Sequence, residues 1–416
     1  MQIPTTHGVP RAGEEYALNE NTADLLNPQA NFHDLETLVR GRVRDLIATI
    51  LDEEITAALG AGSHERGSER RGYRHGHRPA RKLVTSLGPV EIEVPRARMG
   101  VEDGTEEFQS QVVSRYRRRT RRVDAALLSC YLAGANSRKV KLALRPLVEG
   151  TALSRSALSR LVKRLKGLFH EWRERDLSQE RYRFLIVDAM YLGVRLARRV
   201  VKVPVQAVVG VNDAGEKVLL DLRIAPSESL KAWEGVIEGL ARRNLAAPEL
   251  VVMDGNRGLV GAVRKLWPEA RIQRCTNHKW ENLKAKAPKH CHDELKRDYR
   301  AISHAEDGKT ARKAHAAFLA KWRREVPEVA RSLEEAGDDL LTFYEYPSEM
   351  WKSLRTSNVI ERLNGEFRRR TKTQGSFPNE ESALALLFGL VASGTIQMRK
   401  IDGYYRMPEV VENRAA

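Results

Sequence analysis

Between Arg181 and Cys275 the chain alternates short apolar runs with amphipathic ones in a fixed order. "RFLIVDAMYLGV", "VKVPVQAVVGVN" and "EKVLLDLRIAPSE" read as three strands, the last two joined around Asp213-Ala214-Gly215. Residues 229–243 read as a helix, "ELVVMDGN" as a buried strand, "RGLVGAVRKLW" as a helix and "ARIQRC" as a short strand. Runs of this length, rich in β-branched residues and bounded by turn residues, are strands. Three meandering strands followed by alternating helices and strands specify an α/β fold: a mixed sheet with helices on its faces. Two of the runs are read as ending in an acid. Asp188 closes the first strand before a turn, and Asp254 closes the fourth. An acid at the end of an apolar strand must be solvated or paired. Two such acids at the C-terminal ends of neighbouring strands either cap those strands or converge on a hard cation.

Downstream, residues 279–345 read as almost all helix, and 357–371 as a strongly basic helix. In "TSNVIERLNGEFRRRTK", Asn358, Glu361, Asn364 and Arg368 share one helical face, while Glu366 points elsewhere. An acid, two amides and an arginine make poor core. Such a face suits solvent and ordinary ion pairs, or else metals and phosphates.

Lys and Arg number 71 against 55 acids, a net charge of +16. An excess of that size attracts polyanions, nucleic acid first among them. It is concentrated: residues 61–122 carry 15 basic and 8 acidic residues, 137–173 carry 10 and 2, and 355–372 carry 6 and 2. These blocks supply the candidate DNA-binding residues Arg117, Arg118, Arg119, Arg121, Arg122, Arg138, Arg155, Arg160, Lys163, Arg164, Arg369, Arg370 and Lys372.

The surrounding pattern gives those blocks a frame. Residues 1–30 read as a loose arm, and 34–59 as a helix with Leu35, Leu38, Val39, Val43, Leu46, Ile47, Ile50, Leu51 and Ile55 on one stripe. Residues 60–81 read as a Gly- and Arg-rich loop. Its His75-x-His77 pair, with no Cys or carboxylate cluster beside it, fits a solvated or phosphate-facing loop better than a metal site. "KLVTSLGPVEIEVPRAR" reads as two short strands around Gly88-Pro89. "RYRRRTRR", residues 115–122, is expected to open a helix running to about Leu132, ended by Gly134. Ser137 and Ser154 can each cap a following helix with Gly150 in the turn between, a helix-turn-helix pattern in which Pro146 must kink or restart the first helix. No apolar run approaches the roughly 20 residues that span a bilayer. The polar N-terminus shows no secretion signal. Cys130, Cys275 and Cys291 form no disulfide framework, which points to a reducing cytoplasm.

Taken in order, the strand pattern, Asp188, Asp254 in "MDGN", Cys275-x-x-His278 and "SNVIERLN" resemble the bacterial mutator-type transposases of insertion sequences. "GHRPARKLVTSLGPVEIEVPRAR" and "YLAGANSRKV" extend the likeness upstream, so that it covers most of the chain. The resemblance implies a DDE enzyme with an RNase H-like mixed-sheet core interrupted by an all-α insertion. It makes Asp188, Asp254 and Glu361 the catalytic, metal-holding acids. Two Mg²⁺ ions, with Mn²⁺ able to substitute, would activate water and then the 3′-hydroxyl and stabilise the leaving oxygen. Cys275 and His278 become supporting residues beside the site, as do Asn358, Asn364 and Arg368. A zinc site built from Cys275, His278, His290 and Cys291 is the alternative for the first pair. Trp280, Trp322 and Trp351 read as packing anchors of the helical insertion rather than base-stacking residues.

The expected organisation is an arm over 1–30, then a helix, basic loop and β-hairpin over 31–110 for DNA binding and assembly. A helix-turn-helix-like DNA-binding region covers 111–180, and the core covers 181–278. The insertion takes 279–345, and the end of the core with its Glu361 helix takes 346–416. The partners implied are double-stranded DNA, as terminal inverted repeats and target, and further copies of the chain, in the bacterial cytoplasm at the nucleoid and with no membrane. A basic DNA-binding regulator with a decayed core, and a nuclease that cuts without joining, are the competing functions. Retention of all three acids speaks against decay.

Overall fold

Five strands build the sheet expected between Arg181 and Cys275. The structure is a computed structural model that describes residues 33–65, 70–101, 104–135, 137–144, 155–196, 199–225, 229–374, 377 and 379–412. Two compact units result: Met1–Ser129 with Ser137–Ala157, and Cys130–Asn136 with Leu158–Ala416.

In the first unit a helix spans His33–Leu59. The apolar stripe of its sequence divides in two. Leu51, Ile55 and Leu59 are buried, whereas Leu35, Leu38 and Leu46 are exposed. Leu51 packs on β2 (Arg81–Thr85) and β3 (Gly88–Ile92), an antiparallel hairpin, through Leu83, Val90 and Ile92, while Ile55 and Leu59 pack with Ala97 and Phe108. A second sheet has the order β1-β4-β5 and joins Gly72–His77, Pro95–Val101 and Gly104–Glu107. Strand β1 lies within the stretch expected to be loop. Its side chains alternate towards solvent, so no apolar pattern announced it.

The helix expected from residue 115 begins at Arg121 instead and ends at Leu132. The backbone before it pairs with strand β2: Val84 N donates to Arg118 O and Thr120 N to Val84 O, both at 2.9 Å. Those bonds hold the Arg-rich segment extended. Helices Ser137–Ala143 and Arg155–Glu174 stand on either side of the expected turn. Pro146, Gly150 and Ser154 lie outside the described residues.

In the second unit β6 (Tyr182–Leu196), β7 (Arg199–Asn212), β8 (Lys217–Ile224), β9 (Leu250–Met253) and β10 (Arg271–Arg274) form a sheet of order β10-β9-β6-β7-β8. Strands β6, β7 and β8 are antiparallel, and β9 and β10 run parallel to β6 and β9. Strand β6 does not stop at Asp188. It continues for eight more residues because β7 pairs with it as far as Leu196↔Arg199. Only the parallel pairing ends here, at Val187↔Met253. Helices Leu230–Arg242 and Arg257–Leu266 bury Trp233, Val236, Leu240, Leu259 and Val263 against Leu185, Val187, Val251 and Met253.

Helices Thr276–Lys286, His292–Ser303, Gly308–Glu325 and Pro327–Ala336 share their own core, centred on Leu283, Leu295, Phe318, Trp322 and Leu333. The tryptophans serve packing. Trp280 stacks on Tyr299, Trp322 donates to Asp298 Oδ2 at 3.0 Å, and Trp351 donates to Tyr346 O at 2.7 Å. Among the described residues no helix is long and apolar enough to cross a membrane.

Candidate active site

Asp188 sits on β6 one residue beyond the last pair with β9, so it lies beside Asp254, which directly follows β9. It is 6% exposed. Its Oδ1 accepts from Ala189 N at 2.8 Å and its Oδ2 faces Ser357 Oγ at 3.4 Å. Burial pushes its carboxyl up to about 6; Asp254 and Glu361 add to the rise and His278 opposes it.

Asp254 is held by the turn that follows it. Its Oδ1 accepts from Asn256 N at 2.8 Å, and Asn256 Oδ1 in turn caps the helix by accepting from Gly258 N at 2.9 Å. Gly255 between them has φ +89°, and a Cβ there would lie 1.8 Å from Nε of the buried Arg274. Only glycine fits that turn.

Glu361 lies in the first turn of the helix Asn358–Gln374, where the helix dipole favours an anion. His278, on the helix after β10, brings Nε2 to 3.9 Å from Glu361 Oε1. The Cys275 side chain raises the His278 imidazole to about 9, with help from the Cys275 charge, Asp188 and Asp254 and against burial. Burial pushes the Cys275 thiol up, but its hydrogen bonds to His278 and Ser357 prevail, and it lies below its ordinary value. The pair is drawn towards thiolate and imidazolium.

Ser357 ties these groups together, and the sequence reading passed over it. It is fully buried. Its N donates to Cys275 Sγ at 3.3 Å, and its Oγ lies 3.4–3.5 Å from Asp188 Oδ2, Cys275 Sγ and His278 Nδ1. Its place at the opening of the basic helix was the signal available.

Asn358 accepts from Asn277 Nδ2 at 2.7 Å. Arg368 is exposed, but Asn364 is turned into the core at 5% exposure, with its Oδ1 unpaired. The expected face is therefore polar only in part. Asn364 lies at its margin, next to Ile360, Leu363 and Phe367, which are buried.

The three acids act on one another electrostatically without closing into a tight set. Among the described residues, the one group of at least three Cys, His, Asp or Glu with ligand atoms all within 4.8 Å is Cys275, His278 and Glu361. His290 and Cys291 do not join it, so the four-ligand zinc arrangement is not assembled. Nor do His75 and His77 gather a ligand set.

The basic residues are dispersed. Arg118, Arg121 and Arg122 are exposed, Arg117 half-buried, and Arg119 pairs with Asp124 at 2.7 Å. Arg160, Lys163 and Arg164 are exposed on the helix Arg155–Glu174. The side chains of Arg138 and Arg155 lie outside the described residues. Arg369 and Arg370 both pair with Glu366, and Lys372 is exposed.

The family described as Transposase, Mutator family matches residues 16–398. The transposase for insertion sequence element ISRM5 of Rhizobium meliloti is 35% identical over 90% of this chain and 92% of that protein. The transposase for IS1081 of Mycobacterium tuberculosis is 32% identical over 85% of this chain and 84% of that protein. The transposase for IS256 in transposon Tn4001 of Staphylococcus aureus is 30% identical over 81% and 85%. Among solved structures, the Drosophila P element transposase strand transfer complex aligns with 64% of this chain and 90% of that one, at a TM-score of 0.39 and 10% identity.

Proposed function

The chain belongs to the Mutator family of transposases, and from that premise we propose a residue-level account of how this DNA transposase works. It binds the terminal inverted repeats of its insertion sequence, cuts there and joins the freed ends to target DNA. The core is RNase H-like, and residues 279–345 are an all-α insertion in it. The sheet order β10-β9-β6-β7-β8 and the separate helical core after β10 support both readings.

Asp188, Asp254 and Glu361 hold divalent metal. The donor set fits a hard cation such as Mg²⁺, with Mn²⁺ as substitute, because it offers carboxylate oxygens. The carrying observation is the placement of Asp188: a carboxyl only 6% exposed, set beside Asp254 by the parallel pairing of β6 and β9, is pushed up to about 6 mainly by its burial, and a dication there would favour its ionised form. Two bound ions supply nucleophile activation and charge stabilisation at the leaving oxygen. The chain's own residues do the positioning. The turn at Gly255 fixes the Asp254 carboxylate. Ser357 holds the opening of the Glu361 helix to Asp188 and Cys275. The His278 imidazolium adds positive charge beside Glu361, and Arg368, exposed on the same helix, contacts the DNA backbone. An element has two ends and each chain one such site, so at least two copies act together on the DNA.

The test is incubation of the full chain with its own end DNA and Mg²⁺, followed by mapping of products. Cut ends and strand-transfer products are expected, and neither from Asp188→Ala, Asp254→Ala or Glu361→Ala, all three of which should still bind the ends. Cutting without joining would make the protein a nuclease. A variant that joins strands at the wild-type rate would remove its residue from the metal-holding set.

A further inference from the structure

Beside the catalytic acids the second unit has a recess of about 180 Å³ that the account above leaves unused. Lys217, Lys352, Arg362 and Arg399 line it, with Asp402 the one acid among its lining residues. Asp402 is already engaged: its Oδ2 accepts from Ser353 Oγ at 2.8 Å, and its Oδ1 lies 3.6 Å from Lys352 Nζ. The other cations are not neutralised. Lys217 Nζ donates to Lys400 O at 3.2 Å and Arg362 Nη2 to Gln397 O at 3.0 Å, both uncharged acceptors. Arg399 has no hydrogen bond or ion pair among the described residues. Burial pulls the Lys217 ammonium below its ordinary value; Asp402 opposes this, and Arg362 and Lys352 add to it.

The rest of the lining suits an anion. Asn358 and Val359, in the opening turn of a 17-residue helix, face the recess, and the first N–H groups of a helix lack intrahelical partners and carry positive potential. Thr356 also lines it, 5% exposed and with its Oγ1 unpaired. The recess adjoins the acids directly. Ile186 lines it from the same face of β6 as Asp188, two residues on, and Asn358 lies one helical turn before Glu361. Its size admits a phosphate with part of its sugar and no duplex.

We propose that this recess is a phosphodiester site, in which Lys217, Arg362 and Arg399 grip a phosphate of the DNA strand a few nucleotides from the one being cut and so set that strand's register over the acids. This rests on the reading of Asp188, Asp254 and Glu361 as the cutting site. The phosphate belongs either to the element end or to the target strand, and the same chemistry serves both.

The experiment is phosphate interference with the full chain. Duplexes carry one neutral methylphosphonate at a time, in the end DNA in one set and in the target in the other. Affinity is measured in chelator, and cutting in Mg²⁺ is followed in parallel. For the wild type, one position within a few nucleotides of the cut should lose about tenfold in affinity, the size of one charge-assisted hydrogen bond. Arg399→Gln and Lys217→Gln should abolish the penalty at that position and keep it elsewhere, with an unchanged melting curve. The set in which this occurs assigns the strand. The site is refuted if the variants keep the wild-type profile at every position, or if they weaken all duplexes alike. Mapped interference in a protein that does not cut would sink the catalytic reading and keep the site; cutting with an unaltered profile in the variants would do the reverse.

Discussion

Asp188→Asn should abolish cutting and at the same time stabilise the metal-free protein. The Asp188 carboxyl is 6% exposed and moves from an ordinary value of 3.8 to about 6. A group whose pKa is raised by folding contributes stability below its unfolded value and loses that contribution as pH rises through the folded one. Near neutrality the ionised Asp188 therefore works against the fold. At about 1.4 kcal/mol for each pH unit, the penalty reaches about 3 kcal/mol. Asparagine keeps the shape and can still accept from Ala189 N, so most of the penalty should be relieved, a gain of about 1–3 kcal/mol at pH 7. The gain should grow between pH 4 and 6 and be flat above. Hydrogen exchange of residues 182–196 in chelator, from pH 4 to 7, reports on the site itself, which matters because a chain of two units need not unfold in one step. Mg²⁺ should then stabilise the wild type and not the variant. No gain at pH 7, or the same gain at pH 4, would refute the reasoning.

Gly255→Ala should cost roughly 2–4 kcal/mol, because the turn needs positive φ and the new Cβ would strike buried Arg274; urea unfolding checks this. Cys275→Asp should keep most activity in the cutting assay, since a carboxylate can accept from Ser357 N and pair with His278, whereas His278→Ala should lose activity with a smaller loss of melting temperature. Folding favours the protonated His278, so its contribution to stability is present below 6.5 and lost as pH rises through about 9; that decline should be missing from a pH series on His278→Ala. Arg160→Glu with Lys163→Glu should weaken binding of the end DNA and lower the slope of log affinity against log salt by about two, read by titration at several salt concentrations.

The sheet was legible in the sequence because strands β6 to β9 carry apolar runs whose length and order leave few alternatives. Asp254 was legible because β9 is four residues long and stops where its apolar run stops. The position of Asp188 within its strand was misread. An antiparallel partner sustains β6 beyond the point where the parallel partner leaves, and pairing partners are not written in one strand's periodicity. The extended segment before Arg121 was missed for the same reason, since Val84, more than thirty residues away in sequence, supplies its hydrogen bonds. Glu361 stood out through the polar face read around it, although Asn364 on that face is buried. Ser357 offered only its place at the opening of the Glu361 helix: its role depends on β6 and the Cys275 turn converging on it, which is tertiary information. The recess around Lys217 and Arg399 is equally non-local, drawn from β8, the Glu361 helix and the segment before Asp402.

The most direct test of the central claim is where a divalent ion binds. Crystals of the complex with end DNA, grown in Mn²⁺ and measured for anomalous scattering, should show two peaks among the carboxylates of Asp188, Asp254 and Glu361. A peak held instead by Cys275, His278 and Glu361, with none at Asp188 and Asp254, would contradict the account.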